Sequence, residues 1–456
     1  MNDTHPFKIT FCSGAGTVTG ANFLIEADGK KLLVDCGMIQ GESIADKENW
    51  GPFPYDPKEI EALFITHSHI DHIGRIPKLV NDGFTGVIYA TPPTCEITLP
   101  MLEDTASIVG RDKEHGLDKI YTEENIKKGM GLFSGCKYHE VKEIAPDFSF
   151  RLLDAGHVLG SAMVEFTFHG KKIVFTGDLG NSPSPILCDT DKIENIDYLI
   201  MESVYGDRKH EDRAERKIKL EHIIQDNDKR KGVLVIPTFS LERSQELLYE
   251  MNTMVENNRV PKMPVYFDSP LGIKLTVIFK KYTDYFNKDV QEDMKTDRDI
   301  FSFPGLRITS DSQDSKEIIH IPNPKIIIAG SGMSNGGRVI HHEHNYLPHP
   351  EDTLLLIGYQ SPGTLGRKIE EGDSTVKIFG DDIPVRAHIE KISGYSGHKD
   401  TDALTDFVAQ TSDSLKKVFV VMGEPKASLF LAQKLKDYLG VSATAPQAGD
   451  SVTLEC

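Results

Sequence analysis

The run Thr66, His67, Ser68, His69, Ile70, Asp71, His72 follows directly on an apolar, strand-like stretch, Ile60 to Ile65, and constrains the chain more than any other segment. Three imidazoles and a carboxylate at this spacing can face one cavity. A turn at a strand end would aim His67 and His69 to one side, while Asp71 and His72 open the following helix. Imidazole and carboxylate together suit zinc or a related divalent ion. Beyond the motif, Ile73, Ile76, Leu79 and Val80 recur at helical spacing, so a helix is expected there, with Asp71 near its positive N-terminal end.

Strand-like runs at Phe7 to Phe11, Ala21 to Glu26, Lys31 to Val34 and Leu63 to Thr66 predict an antiparallel, sheet-rich start. Phe148 to Leu153, Met163 to Phe168 and Lys172 to Phe175 add strands, the last two joined by a His169-Gly170 turn. From about Asp207 the rhythm changes to strand then helix. Val233 to Pro237 precedes a helix over Leu241 to Val255; Val265 to Asp268 precedes one from about Leu271 to Tyr285; Lys325 to Ala329 leads through a Gly-rich loop to a helix from Arg338. With a further strand at Leu354 to Ile357, this alternation predicts a separate α/β unit on a parallel sheet. Asp289 to Ser315 is polar and reads as an exposed excursion. Near Ile383 the chain is expected to return to the first domain, through strands at Val385 to Ile392 and Lys417 to Val421 and a closing helix over Ala427 to Leu439. Two domains also follow from length, since 456 residues exceed the usual size of one core.

A balance of 51 Lys and Arg against 69 Asp and Glu, formally -18, argues against diffuse binding to nucleic acid. It leaves room for a nuclease that holds phosphate with metals and a few local cations, because net charge does not say where charges lie. Six scattered cysteines without a C-x-x-C pair fit reduced thiols in a cytoplasmic protein. Met1 to Phe7 lacks the profile of a signal peptide, and no apolar stretch approaches a membrane span, so no membrane partner is expected. A homo-oligomer is left open.

Partners for the motif come in order along the chain. His157 lies among small residues in Asp154-Ala155-Gly156-His157-Val158-Leu159-Gly160-Ser161, and Asp178 follows a strand in Thr176-Gly177-Asp178. The expected site places one metal on His67, His69 and His157, a second on Asp71 and His72, and Asp178 across both. Two metals ~3.5 to 4 Å apart can share a hydroxide and clamp the attacking and leaving oxygens of a phosphoryl centre.

In its order of motifs the chain resembles the metallo-β-lactamase superfamily, which implies an αββα sandwich of mixed α/β class. Asp35, in Leu33-Val34-Asp35-Cys36-Gly37, matches an early aspartate that orients a ligand histidine and is grouped with the catalytic residues. Further matches are similar to the β-CASP branch of RNA-processing nucleases: Glu202 in Glu202-Ser203-Val204-Tyr205-Gly206, and His398 in Ser396-Gly397-His398. The resemblance implies a first part of the metallo-β-lactamase domain over 1–206, an inserted α/β β-CASP domain over 207–382, and a second part over 383–456. It implies that His398 protonates the leaving oxygen, with Glu202 holding its ring and Asp178 shared between metal and catalytic roles. Backbone amides of the Gly330 to Gly337 loop, with Ser331, Ser334 and Gly336, are expected to bind phosphate beside Arg243, Arg338 or Arg367.

One departure stands out. The branch normally carries a ligand histidine in H-G-E, where this chain has Met422-Gly423-Glu424. A thioether is a poor partner for a site of imidazole and carboxylate, so the second metal is expected to be weakened. The implied function is a metal-dependent ribonuclease that hydrolyses phosphodiester bonds of single-stranded RNA with a metal-bound hydroxide. Zinc is the expected cofactor, as two ions, with manganese as the other candidate. A catalytically weakened RNA-binding or scaffold protein and a small-ester metallohydrolase are the rival readings.

Overall fold

The computed structural model describes residues 5–40, 48–113, 115–210, 213–360 and 363–456. It divides into two compact units, Met1–Lys209 with Gly397–Cys456, and His210–Ser396.

The first unit contains two seven-stranded sheets. One runs in the order Ser451–Glu455, Pro6–Ser13, Asn22–Ala27, Lys30–Val34, Ala62–Phe64, Val87–Ala90, Phe133–Gly135. The other runs Ala443–Thr444, Lys417–Val420, Tyr198–Met201, Lys171–Phe175, Ala162–Phe168, Phe148–Asp154, Lys142–Ala145. Alternation explains how they meet: in Pro6–Ser13 every second residue is buried, so Phe7, Ile9 and Phe11 face inward. There they join Phe64, Phe150, Phe166, Phe168 and Phe175 in one core. Truncating such a fully buried ring to alanine costs ~3–5 kcal/mol. Helices Thr401–Ala409 and Pro425–Leu439 bury Leu404, Phe407, Leu431 and Leu435 against residues of the second sheet, such as Leu199 and Val418. The helix Pro92–Val109 packs beside the end of the first sheet, completing the expected αββα arrangement.

The start of the chain is only partly antiparallel. Pro6–Ser13, Asn22–Ala27 and Lys30–Val34 pair as expected, but Ala62–Phe64 runs parallel to Lys30–Val34 and to Val87–Ala90. The long connection from 35 to 61 permits the crossover that parallel pairing requires. In the second sheet, Lys171–Phe175, Tyr198–Met201 and Lys417–Val420 are likewise parallel. Parallel neighbours place their carboxyl ends at one edge, which is where ligand sites of α/β sheets form. Asp35, His67, Asp178 and Glu202 all follow such strand ends.

The second unit is built on a six-stranded sheet, Leu306–Ile308, Val265–Asp268, Lys325–Ala329, Val233–Pro237, Thr353–Leu356, His388–Lys391, parallel throughout. Helices Arg243–Glu256, Pro270–Phe279 and Val339–Tyr346 match the predicted ones, although the second ends at Phe279, before a short 3-10 turn over Thr283–Tyr285. Two expectations fail. The segment 289–315 is no mere excursion: it buries Ile300, Phe301 and Phe303, sets Phe301 edge-on to Phe279 and Phe286, and supplies the edge strand Leu306–Ile308. The return to the first unit falls at 397 rather than 383, because His388–Lys391 pairs with Thr353–Leu356. No helix among the described residues is long and apolar enough to cross a membrane.

Candidate metal centre

The strand Ala62–Phe64 ends just before His67, His69 stands at the N-terminal cap of the four-residue helix Ile70–Ile73, and that helix carries Asp71 and His72. The segment 35–38 zips onto it: Cys36 N–H donates to the His72 carbonyl at 2.8 Å, and Ala21 N–H to that of Asp71 at 2.9 Å. Gly37 is required there, since a Cβ would lie 1.5 Å from the Asp71 carbonyl oxygen. The His157 loop is packed as closely, with the Cβ site of Gly180 only 1.8 Å from the Gly156 carbonyl oxygen.

Four ligand atoms converge. His69 Nδ1 lies 3.0 Å from His67 Nε2 and 3.3 Å from His157 Nε2, while Asp178 Oδ2 lies 3.5 and 3.6 Å from the latter two. Ligand atoms ~2.1 Å from a tetrahedral ion stand ~3.4 Å apart, so this spacing is that of a metal site. His157 Nδ1 is 3.2 Å from the Gly397 carbonyl, to which it donates, leaving Nε2 as the ligand nitrogen.

A second pair faces the first. Asp35, fully buried at φ 58°, accepts from Thr66 N–H and Oγ1 at 2.8 Å each and from His72 Nδ1 at 2.7 Å. That turns His72 Nε2 toward the carboxylates, 3.5 Å from Asp178 Oδ1 and 3.9 Å from Asp71 Oδ2. Both His72 Nε2 and Asp178 Oδ1 are buried without a hydrogen-bond partner. Orphaned buried acceptors are costly, and a cation between them satisfies both. His67, His69, His157 and Asp178 therefore fit a divalent ion, with the open atoms of His72 and Asp178 facing each other beside it. Thr66, which the sequence reading passed over, holds Asp35 in place; its position directly ahead of His67 was the available signal.

Electrostatics match. Burial, then His72, keeps His67 well below the ordinary imidazole range, suiting a neutral ligand. Against the cost of burial, His72 holds Asp178 well below the carboxylate range, while Asp178 and Asp35 hold His72 well above the imidazole range. Burial lifts Asp71 to about 6.

His398 stands beside the cluster, its ring 4.6 Å from that of His157. Its Nδ1 lies 3.2 Å from both oxygens of Glu202, which is fully buried and also accepts from Leu179 N–H at 2.6 Å. Burial opposes the charge on His398, but Glu202 outweighs it and lifts the group to about 9, so the imidazolium persists at neutral pH.

Met422 stands just past the end of the strand Lys417–Val420. Its side chain is buried in the core between the sheets, with Sδ 2.8 Å from the Cβ site of Gly14, and its backbone adopts φ 46°.

In the second unit the expected phosphate-binding side chains that carry charge are paired. Arg243 pairs with Glu246, Arg367 Nε donates to Glu371 at 2.6 Å, and Ser334 donates to buried Glu343. Arg338 donates to Asp268 at 2.6 Å and to the carbonyls of Thr309 and Ser310. The Ser331 carbonyl accepts from Ser334 N–H at 3.1 Å, and Gly336 has open space at its Cβ site.

A sandwich with metal ligands at its strand ends defines a metal-dependent hydrolase. Residues 15–222 match the model of the metallo-β-lactamase superfamily, 244–369 the β-CASP domain, and 382–446 the zinc-dependent metallo-hydrolase RNA specificity domain. The chain is 33% identical over 445 residues, 98% of its length and 99% of the relative's, to a ribonuclease of Thermus thermophilus. It is 30% identical over 430 residues, 93% of this chain and 94% of the relative, to an RNase J-like protein of Methanocaldococcus jannaschii. Over 466 residues, 98% of this chain and 71% of the relative, it is 30% identical to the transcription termination factor FttA of Pyrococcus horikoshii. A crystal structure of a protein of unknown function from Enterococcus faecalis shares the fold, with a TM-score of 0.59 at 12% identity, covering 98% of this chain and all of that one. This protein belongs to the β-CASP branch of the metallo-β-lactamase superfamily.

Proposed function

We propose that the protein is a zinc-dependent ribonuclease that hydrolyses phosphodiester bonds of single-stranded RNA, leaving a 5′ phosphate and a 3′ hydroxyl. The observation that carries this reading is the convergence of His67, His69, His157 and Asp178 at tetrahedral spacing, beside the orphaned His72 Nε2. Ribonuclease relatives matched over nearly the whole chain support RNA as the substrate.

Zinc bound there supplies Lewis-acid stabilisation of phosphoryl charge and activation of water. The chain's own residues do the rest. Asp35 locks the His72 tautomer so that Nε2 faces Asp178. Glu202 holds the His398 ring by Nδ1 and keeps it protonated. As water gives up a proton to solvent and its oxygen bonds to phosphorus, the bond from phosphorus to O3′ breaks and His398 gives its proton to O3′.

The test is incubation of zinc-loaded protein with labelled single-stranded RNA, single-stranded DNA and a chromogenic phosphodiester, with elemental analysis of the same sample. RNA cleavage with bound zinc is expected. Less than about half an equivalent of transition metal after chelator-free purification refutes the site. A second reading, a weakened RNA-binding member of the family, is favoured by one observation: Met422 lies in the apolar core where the family places a ligand histidine.

A further inference from the structure

Within the second unit, a cavity of about 360 Å³ opens between the segment from Ser312 to Ile319 and the helix Val339–Tyr346. This lies within the range of ligand pockets and is large enough for one nucleotide unit. In a chain of formal charge -18, its lining contains no carboxylate. It presents Lys316, Arg338, His341, His342, Ser312 and Asn345, nearly all hydrogen-bond donors.

The pocket is built, not incidental. Asp268, fully buried at the end of the strand Val265–Asp268, accepts from Arg338 at 2.6 Å, His342 Nε2 at 2.7 Å and Ser315 Oγ at 2.6 Å. This one carboxylate fixes three lining side chains and is used up by them. Lys316 is exposed and makes no ion pair among the described residues, so its charge is available to an anion.

Beside the pocket stands an unusual aromatic. Phe379 is 57% exposed at the tip of the hairpin formed by Thr375–Ile378 and Asp381–Pro384, at φ 55°, a conformation uncommon for a bulky side chain. Its ring meets His341, a lining residue, at 4.6 Å and His344 at 5.9 Å. Burial, then the neighbouring His342, His344 and Lys316, lower His341 below the ordinary imidazole range, so it offers a neutral flat ring at pH 7. Lys316 and His341 line one pocket and Phe379 meets His341, a combination of charge for phosphate and π-face for base that single-stranded nucleic acids select.

We propose that this cavity and Phe379 form a nucleotide subsite for single-stranded RNA, with Lys316, Ser312 and Asn345 taking a phosphate and Phe379 with His341 stacking the base. The subsite rests on the reading of the protein as an RNA hydrolase and assigns it a binding position apart from the metal centre.

The experiment uses the zinc-loaded full chain and its Phe379→Ala, Phe379→Tyr and Lys316→Ala variants. Binding and cleavage of a labelled single-stranded oligoribonucleotide are measured across salt, alongside hydrolysis of the chromogenic phosphodiester. Phe379→Ala is expected to weaken RNA binding ~10-fold and Phe379→Tyr to restore it. Lys316→Ala is expected to flatten the slope of log affinity against log salt by ~0.7. None should alter chromogenic hydrolysis. RNA cleavage with unchanged binding in both alanine variants overturns the subsite alone. RNA binding without cleavage, weakened in both, upholds the subsite and overturns the hydrolase reading. Absence of RNA binding by the wild type overturns both.

Discussion

The metal centre and the glycine-rich loop of the second unit were both expected to bind phosphate chemistry, yet the arginines around the loop are paired with carboxylates while the metal centre keeps ligand atoms open. At the metal centre, His72 Nε2 and Asp178 Oδ1 are buried and unsatisfied. Around the loop, Arg243, Arg338 and Arg367 each already hold a carboxylate, and Ser334 holds Glu343. Donors that are already matched serve the fold, whereas acceptors left open where water cannot reach await a ligand. Motif residues of one family thus divide into those with open acceptors and those whose charge is already paired.

The largest expected effect tests the open side of this contrast. Asp178→Ala removes the carboxylate shared by both expected ion positions, so metal content measured by elemental analysis should fall by more than one equivalent and cleavage by well over ~100-fold. Retention of both ions would break the comparison. Next, His398→Ala should slow RNA cleavage by ~100-fold or more with metal content intact; simultaneous metal loss would recast His398 as a ligand.

Asp35→Asn should weaken binding of the second ion ~10- to 100-fold, read by zinc titration, because the His72 tautomer is then no longer enforced. Met422→His should tighten that same ion and raise activity at limiting zinc or manganese, and its φ of 46° is one that histidine accepts more readily than methionine. If the wild type holds two equivalents tightly and the substitution changes neither affinity nor rate, Met422 is not a lost ligand.

The smallest effect concerns the braced side. Burial raises Glu343 to about 8 from an ordinary value of 4.5. The folded state therefore keeps a proton that the unfolded chain loses, and stability is highest below about 4.5 and declines as pH rises to about 8. Glu343→Gln should flatten that decline in denaturant melts at successive pH values.

The candidate metal ligands were legible because their spacing is local and their chemistry narrow: His67, His69, Asp71 and His72 need only a strand end and a turn. Their partners His157 and Asp178 were legible through small residues behind strands. The boundary near 383 was not, because His388–Lys391 is a largely exposed edge strand without alternation, and only pairing with Thr353–Leu356 assigns it. The segment 289–315 misled for a related reason. Its polar composition hides Ile300, Phe301 and Phe303, whose burial depends on contacts such as Phe279 that lie distant in sequence. The pairing of Ser334 with Glu343 required knowing how the loop folds back on its helix, which no motif records.

The strand order of the first unit also has a consequence for synthesis. Lys417–Val420 must insert beside Tyr198–Met201, and Ser451–Glu455 must close onto Pro6–Ser13, so contacts spanning more than 200 residues complete this sandwich. The second unit, a continuous stretch of chain, needs no such wait. On the ribosome it can collapse first, while the earlier half of the sandwich remains unfinished until the last strands emerge. His398 emerges after that stretch, so a nascent chain cannot form the His398–Glu202 pair until the whole second unit has been made.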